Sequence, residues 1–272
     1  MTALPAAPGP APEPAPEPAV AVAHRSLRRL HRPALLVWAA FGLLVTGWLL
    51  WVHLSEVPAE RACRSFFRYA PMTADSLPGC DYSAFTDANN VVNFLGEVLG
   101  YSCVAVAAWA GGALIGRELE SGTARLAWTQ SVSPARWLAG KLTVAALPLA
   151  AGGGLLALVF GWVWSSDRPQ LVSNWTYDRV FIAHGPLLPA LLLLGLAVGA
   201  LAGLALGRTL PALGTAAAVT LAVRLYLRKA WLPLRGPLHG FWALQLAATA
   251  MVLALAAAAT VGAFWLLRRR TR

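Results

Sequence analysis

The 272-residue chain is 58% hydrophobic and only 12% charged, with a formal net charge of +10 and a mean hydropathy of +0.59. That balance lies far from the usual globular composition and points to a protein that lives in lipid. The basic residues flank apolar runs rather than line one face, which argues against nucleic acid as the reason for the charge.

Residues 1–23 are almost entirely Ala, Pro and Glu. Proline removes backbone donors and fixes φ, so an extended, disordered tail is expected here. Arg25, Arg28, Arg29 and Arg32 follow as a basic cluster. Region 1–32 therefore reads as a cytoplasmic tail before an uncleaved anchor, and 33–272 as one membrane domain. A span needs about 20 mostly apolar residues to cross a ~30 Å hydrocarbon core. Windows at about 33–52, 91–115, 142–164, 186–206, 210–227 and 241–267 qualify. The fold class expected is all-α: a polytopic membrane protein with six transmembrane helices. Arg117, Arg125, Arg136, Lys141, Arg208 and Arg268 to Arg270 then fall on the side of the N-terminal cluster, with few acids among them. This positive-inside bias places both termini in the cytoplasm. Trp38, Trp48, Trp51, Trp162, Trp164 and Trp265 sit at span ends, where an amphipathic ring anchors at the interface.

The first outer loop, 53–90, carries Cys63 and Cys80 on the oxidising side. A bridge between them would close about 17 residues and contribute ~3 kcal/mol in the chain-entropy model; two free thiols fit the sequence equally. Cys103, inside the second span, reads as packing. Glu97 lies near the outer end of that span. A carboxylate at membrane depth is costly, so Glu97 either faces the bundle interior or sits among headgroups. The fifth window is short and interrupted by Arg224. In the fourth, Gly195, Gly199, Gly203 and Gly207 recur every four residues. Each step drifts by ~40°, so they trace one winding groove. Such a groove admits a close helix neighbour, although an Ala/Gly-rich chain also produces the spacing by chance. Whether the neighbour is another span or a second copy is open.

The segment 116–141 breaks the apolar pattern for too long to be a simple turn. Arg117, Glu118 and Glu120 extend the second span past the membrane, and both acids are expected to project into water. Ser121-Gly122-Thr123 makes a bend, with Thr123 suited to cap a new helix. A short surface helix over Ala124 to Gln130 follows, and Ser133-Pro134 starts the next helix. A short helix rigidly joined to two spans converts a push into a helix movement; an interfacial anchor using Trp128 and Trp137 is the plainer reading.

The run RELESGTARLAWTQSVSPARWLAGK resembles the first cytoplasmic loop of type-2 ABC exporter permeases, especially their actinobacterial branch. The resemblance rests on Glu118, Gly122-Thr123, Leu126 to Gln130, Arg136-Trp137-Leu138 and Lys141, supported by Phe241-Trp242 and Leu244-Gln245 at the last span. It implies a permease subunit in a bacterial cell membrane that dimerises with itself or a sibling and moves a substrate outward. It further implies ABC ATPase subunits that bind ATP-Mg and grip this loop. The residues it nominates for that coupling are Arg117, Glu118, Glu120, Gly122, Thr123, Arg125, Leu126, Trp128, Gln130, Arg136 and Lys141. The proline-rich start and the brief 228–240 loop depart from the family pattern.

The chain's own chemistry is expected to be slight. Gly140-Lys141 lacks the upstream glycine of a phosphate loop, and Leu142 stands where a magnesium-binding hydroxyl belongs. Neither His-Glu-x-x-His nor Cys-x-x-Cys occurs, so no catalytic or metal-ligating residue is nominated. A secondary transporter would show paired acids in two matching halves, and Glu97 and Arg224 are not equivalent. A non-transporting scaffold, sensor or immunity protein remains the other class.

Overall fold

The computed structural model describes residues 19–58, 83–129, 133–167, 174–231 and 240–271. Cys63, Cys80, Gln130, residues 1–18 and most of the 228–240 loop lie outside the described residues. The regular elements described are helices: α1 (Ala19–Trp51), α2 (Ser83–Trp109), α3 (Arg117–Glu120), α4 (Thr123–Thr129), α5 (Pro134–Asp167), α6 (Asp178–Ala183), α7 (Leu187–Leu206), α8 (Thr209–Trp231) and α9 (Phe241–Arg270). Wide π turns at Val52–Glu56 and Ala110–Gly116 extend α1 and α2.

Contacts divide the chain into two units, Met1–Trp38 and Ala39–Arg272. Within the first, the helix already begins at Ala19, inside the stretch expected to be disordered; the alternating Ala and Val there carry no proline to stop it. The second unit takes in the rest of α1 and the elements that follow it.

Six helices are long and apolar enough to cross a membrane: Arg32–Glu56, Thr86–Glu120, Pro134–Asp167, Leu187–Leu206, Thr209–Ala230 and Phe241–Arg270. The fold is therefore all-α with six candidate spans. Five of the six outlast their sequence windows, the second and third by the most. The second starts at Ser83, within the supposed outer loop. The third starts at Pro134, where the Ser133 hydroxyl accepts the Arg136 amide at 3.4 Å. At ~1.5 Å per residue the 35 residues of the second span well exceed a ~30 Å core, so its ends stand clear of the hydrocarbon.

α7 is the central column, with 72% of its apolar window buried against 22% for α9. Its glycines explain how. A Cβ on Gly199 would stand 2.6 Å from the Ala107 carbonyl and 2.9 Å from the Gly111 amide, and one on Gly203 only 2.7 Å from Ile115 Cβ. Gly195 lies against the Cys103 carbonyl in the same way. The neighbour in this groove is thus the second span, including its π turn. That turn has its own glycines, facing α8. A Cβ on Gly111 would sit 2.8 Å from the Ala212 carbonyl, and one on Gly116 would sit 3.2 Å from that of Arg208. Gly207 does a different job: at φ 63° it ends α7, and its amide donates to the Gly203 carbonyl at 2.9 Å.

Polar contacts fix which helix ends lie together. Glu120 meets the start of α8 at Thr209, and Arg270 donates to the Ala205 carbonyl near the end of α7. These ends, with the α3–α5 connection, form what we call the elbow end. At the far end His53 Nδ1 pairs with Asp167 at 2.9 Å, and the Gln245 side-chain amide donates to the carbonyls of Phe181 and His184 at 3.2 and 3.3 Å. From α2 onward, each long helix therefore crosses once.

Gly199→Ala is expected to destabilise the folded protein by ~1–3 kcal/mol, because backbone rather than a movable side chain blocks the new methyl. Gly154→Ala, where nothing stands within 4 Å of the added Cβ, should be neutral or slightly stabilising. Thermal unfolding of the two variants in one detergent checks the contrast.

Candidate functional site

The elbow is built from the end of the second span outward. α3 closes with the Ser121 amide donating to the Arg117 carbonyl at 2.9 Å and the Gly122 amide donating to Leu119 at 3.3 Å. Gly122 takes φ 74° to reverse the chain, a conformation that a side chain would strain. The Thr123 hydroxyl, expected to cap the next helix, instead donates back to the Glu118 carbonyl at 3.3 Å and lies 3.0 Å from the Ser121 hydroxyl. α4 follows with no linker, the Arg125 and Leu126 amides both donating to the Gly122 carbonyl at 3.0 and 3.3 Å.

Glu118 does not project into water. Lys141 Nζ, only 2% exposed, donates to Glu118 Oε1 at 2.5 Å and to the Leu114 carbonyl at 3.3 Å. Trp137 Nε1 donates to Glu118 Oε2 at 3.3 Å, and the Lys141 ammonium lies 5.4 Å from the centre of that indole. Trp128 packs edge-on against Trp137 at 5.7 Å. The carboxylate thus joins the second span to the third, and the indoles cover the pair. Glu120 is also engaged: its Oε2 accepts the Thr209 amide at 2.8 Å and the Thr209 hydroxyl. An anion there satisfies orphan amide groups at the start of α8 and opposes the helix dipole favourably. One four-residue helix therefore ties spans two, three and five.

The other nominated coupling residues divide cleanly. Arg117, Arg125 and Arg136 are exposed, as is Leu126 at 61%. Trp128 is half-buried, and its indole N–H has no partner among the described residues. The surface left open is therefore basic and apolar, while the acids are spent on the frame.

The far end holds the intramembrane charge. Arg224 is fully buried in α8; its Nη2 donates to Asp178 Oδ2 at 2.5 Å and its Nε to the Gly100 carbonyl at 3.4 Å. Its guanidinium lies 5.2 Å from the centre of the Tyr101 ring. Asp178 begins α6, between the third and fourth spans. A buried arginine demands a carboxylate, and that demand was the one available signal for Asp178. Glu97 is half-buried, and its Oε2 has no hydrogen-bond partner among the described residues. Nearby, His184 stacks on Phe241 at 5.0 Å, and burial pushes its imidazole pKa down, favouring the neutral ring.

The family described as ABC-2 membrane transporter related matches residues 34–231, from the first span to the end of the fifth. The chain belongs to this family. It is a multi-pass membrane protein and the permease component of an ABC-type system. Among curated proteins and among solved structures nothing matches. The family match takes in the whole elbow and the Arg224 cluster and stops before α9.

Lys141→Met in this ABC-2 family member strands the Glu118 carboxylate and should cost ~3 kcal/mol, the low end for a broken buried pair because Glu118 keeps 18% exposure. Glu118→Gln added to it should restore most of the loss. A double-mutant cycle on thermal unfolding measures the coupling.

Proposed function

We propose that this permease is the membrane half of an ATP-driven exporter, with the elbow end in the cytoplasm and α4 gripped there by a separate ABC ATPase. The observation that carries the reading is the contrast within the elbow. Glu118 and Glu120 lock it to three spans, while Arg125 and Leu126, on the helix between, are left exposed. A load applied to α4 reaches α3, whose Glu118 and Glu120 ties pass it into spans two, three and five together. The excess of basic residues at that end supports the cytoplasmic orientation. The ATPase would supply ATP and magnesium, and a second permease copy or a sibling would complete the assembly in a bacterial cell membrane. Resemblance of the elbow sequence to the actinobacterial exporter branch supports outward movement of substrate.

Because Glu118 is structural, the contact with the ATPase is best tested at the exposed residues. Arg125→Glu combined with Leu126→Asp should abolish co-purification with the ABC ATPase and leave the unfolding temperature unchanged. Retained co-purification would overturn the coupling assignment. A cysteine at Arg125, with Cys63 and Cys80 replaced by serine, should resist a membrane-impermeant thiol reagent added outside intact cells. Ready modification would reverse the orientation.

A further inference from the structure

Arg224 has more capacity than its one ion pair uses. It is fully buried, Asp178 engages Nη2, the Gly100 carbonyl engages Nε, and Nη1 has no partner among the described residues. On α2, Gly100 and Tyr101 both approach the guanidinium. Glu97 lies three and four positions before them, hence on the same helix face, one turn nearer the far end. Its Oε2 is buried and has no hydrogen-bond partner among the described residues. A donor and an acceptor without partners among the described residues thus belong to positions about one helical turn apart along α2.

The short helix α6 lies over this arrangement. A Cβ on Gly96 would stand 3.0 Å from the Arg179 carbonyl, so the first turn of α6 rests on α2 immediately beside Glu97. Asp178, one residue before Arg179, is what Arg224 holds. Lifting α6 would carry Asp178 away, and an arginine left alone in an apolar interior is strongly unfavourable. A second carboxylate one turn off removes that obstacle, because the guanidinium can change partners without ever being unpaired.

We propose that Arg224 is a two-position latch: it binds Asp178 when α6 is seated on α2 and α8, and passes to Glu97 when α6 lifts and the far end of the bundle opens. The helix lengths suit the exchange: α6 has six residues, held by Arg224 at Asp178 and by Gln245 at the Phe181 carbonyl, whereas α2 and α8 are long and held by close backbone contacts. The latch depends on neither the ATPase nor the direction of transport.

A native reporter sits inside it. Cys103 Sγ lies 3.4 Å from the Gly100 carbonyl oxygen, the same acceptor used by Arg224 Nε, and the residue is 1% exposed. With Cys63 and Cys80 replaced by serine, the full-length protein in liposomes is treated with a water-soluble methanethiosulfonate, and the rate of Cys103 modification is followed by mass. Asp178→Asn should raise the rate roughly tenfold or more by shifting the population to the open position. Asp178→Glu should leave it near the starting value. Adding Glu97→Gln to Asp178→Asn should bring the rate back down, since the open position then has no carboxylate to pair with the guanidinium. An unchanged rate in Asp178→Asn overturns the latch. So does a fast rate that Glu97→Gln fails to lower, because that is the behaviour of a merely loosened fold. Arg125→Glu with Leu126→Asp should not alter the resting rate, so loss of ATPase coupling and loss of the latch give separate signatures.

Discussion

Close approach of backbones between the second and fourth spans is the constraint on which the rest of this structure depends. Lipid tails are as apolar as leucine, so burial of apolar side chains gives helices little reason to associate within a membrane. Gly195, Gly199 and Gly203 substitute dispersion contact, letting the carbonyls and amides of residues 103–111 lie against the α7 surface. Gly111 and Gly116 do the same toward α8. The second span is thereby held from two sides along its length, and both charged clusters of the protein are mounted on it.

Those clusters solve one problem in two ways. A charge near or within lipid must find a partner on another helix, and each partner found becomes a tie between helices. At the elbow end, Glu118 and Glu120 are joined to Lys141 and Thr209, so the ties are numerous and fully used. At the far end Arg224 is joined to Asp178 with donor capacity to spare. The mounting is tight at one end and only partly satisfied at the other.

Much of this could be read from the chain before any coordinates. Six apolar windows gave the spans, because length and hydropathy are local properties and lipid enforces them. Ser121-Gly122-Thr123 and Ser133-Pro134 marked the bend and the next helix start, because glycine and proline carry their geometry with them. What could not be read was pairing. Glu118 looked solvated because its partner Lys141 is 23 residues away in sequence, beyond a bend whose angle no local rule supplies. Asp178 drew no notice because its partner Arg224 is 46 residues on. The glycine groove was legible as a groove, but not its occupant, and Gly207 fitted the spacing while serving as a helix stop.

The π turn at Ala110–Gly116 sets the azimuth of the elbow. Through this turn the backbone bonds run five residues back, as when the Arg117 amide donates to the Gly112 carbonyl. The widened winding retards the helix by on the order of one residue, about 100° of rotation, relative to an unbroken α-helix. With ordinary winding, the side chains that anchor the elbow would leave the second span facing a different quadrant. Insertions or deletions upstream of residue 110 and downstream of residue 116 are therefore not interchangeable, and chimeras that splice this span should keep the seven-residue segment intact with its own exit sequence.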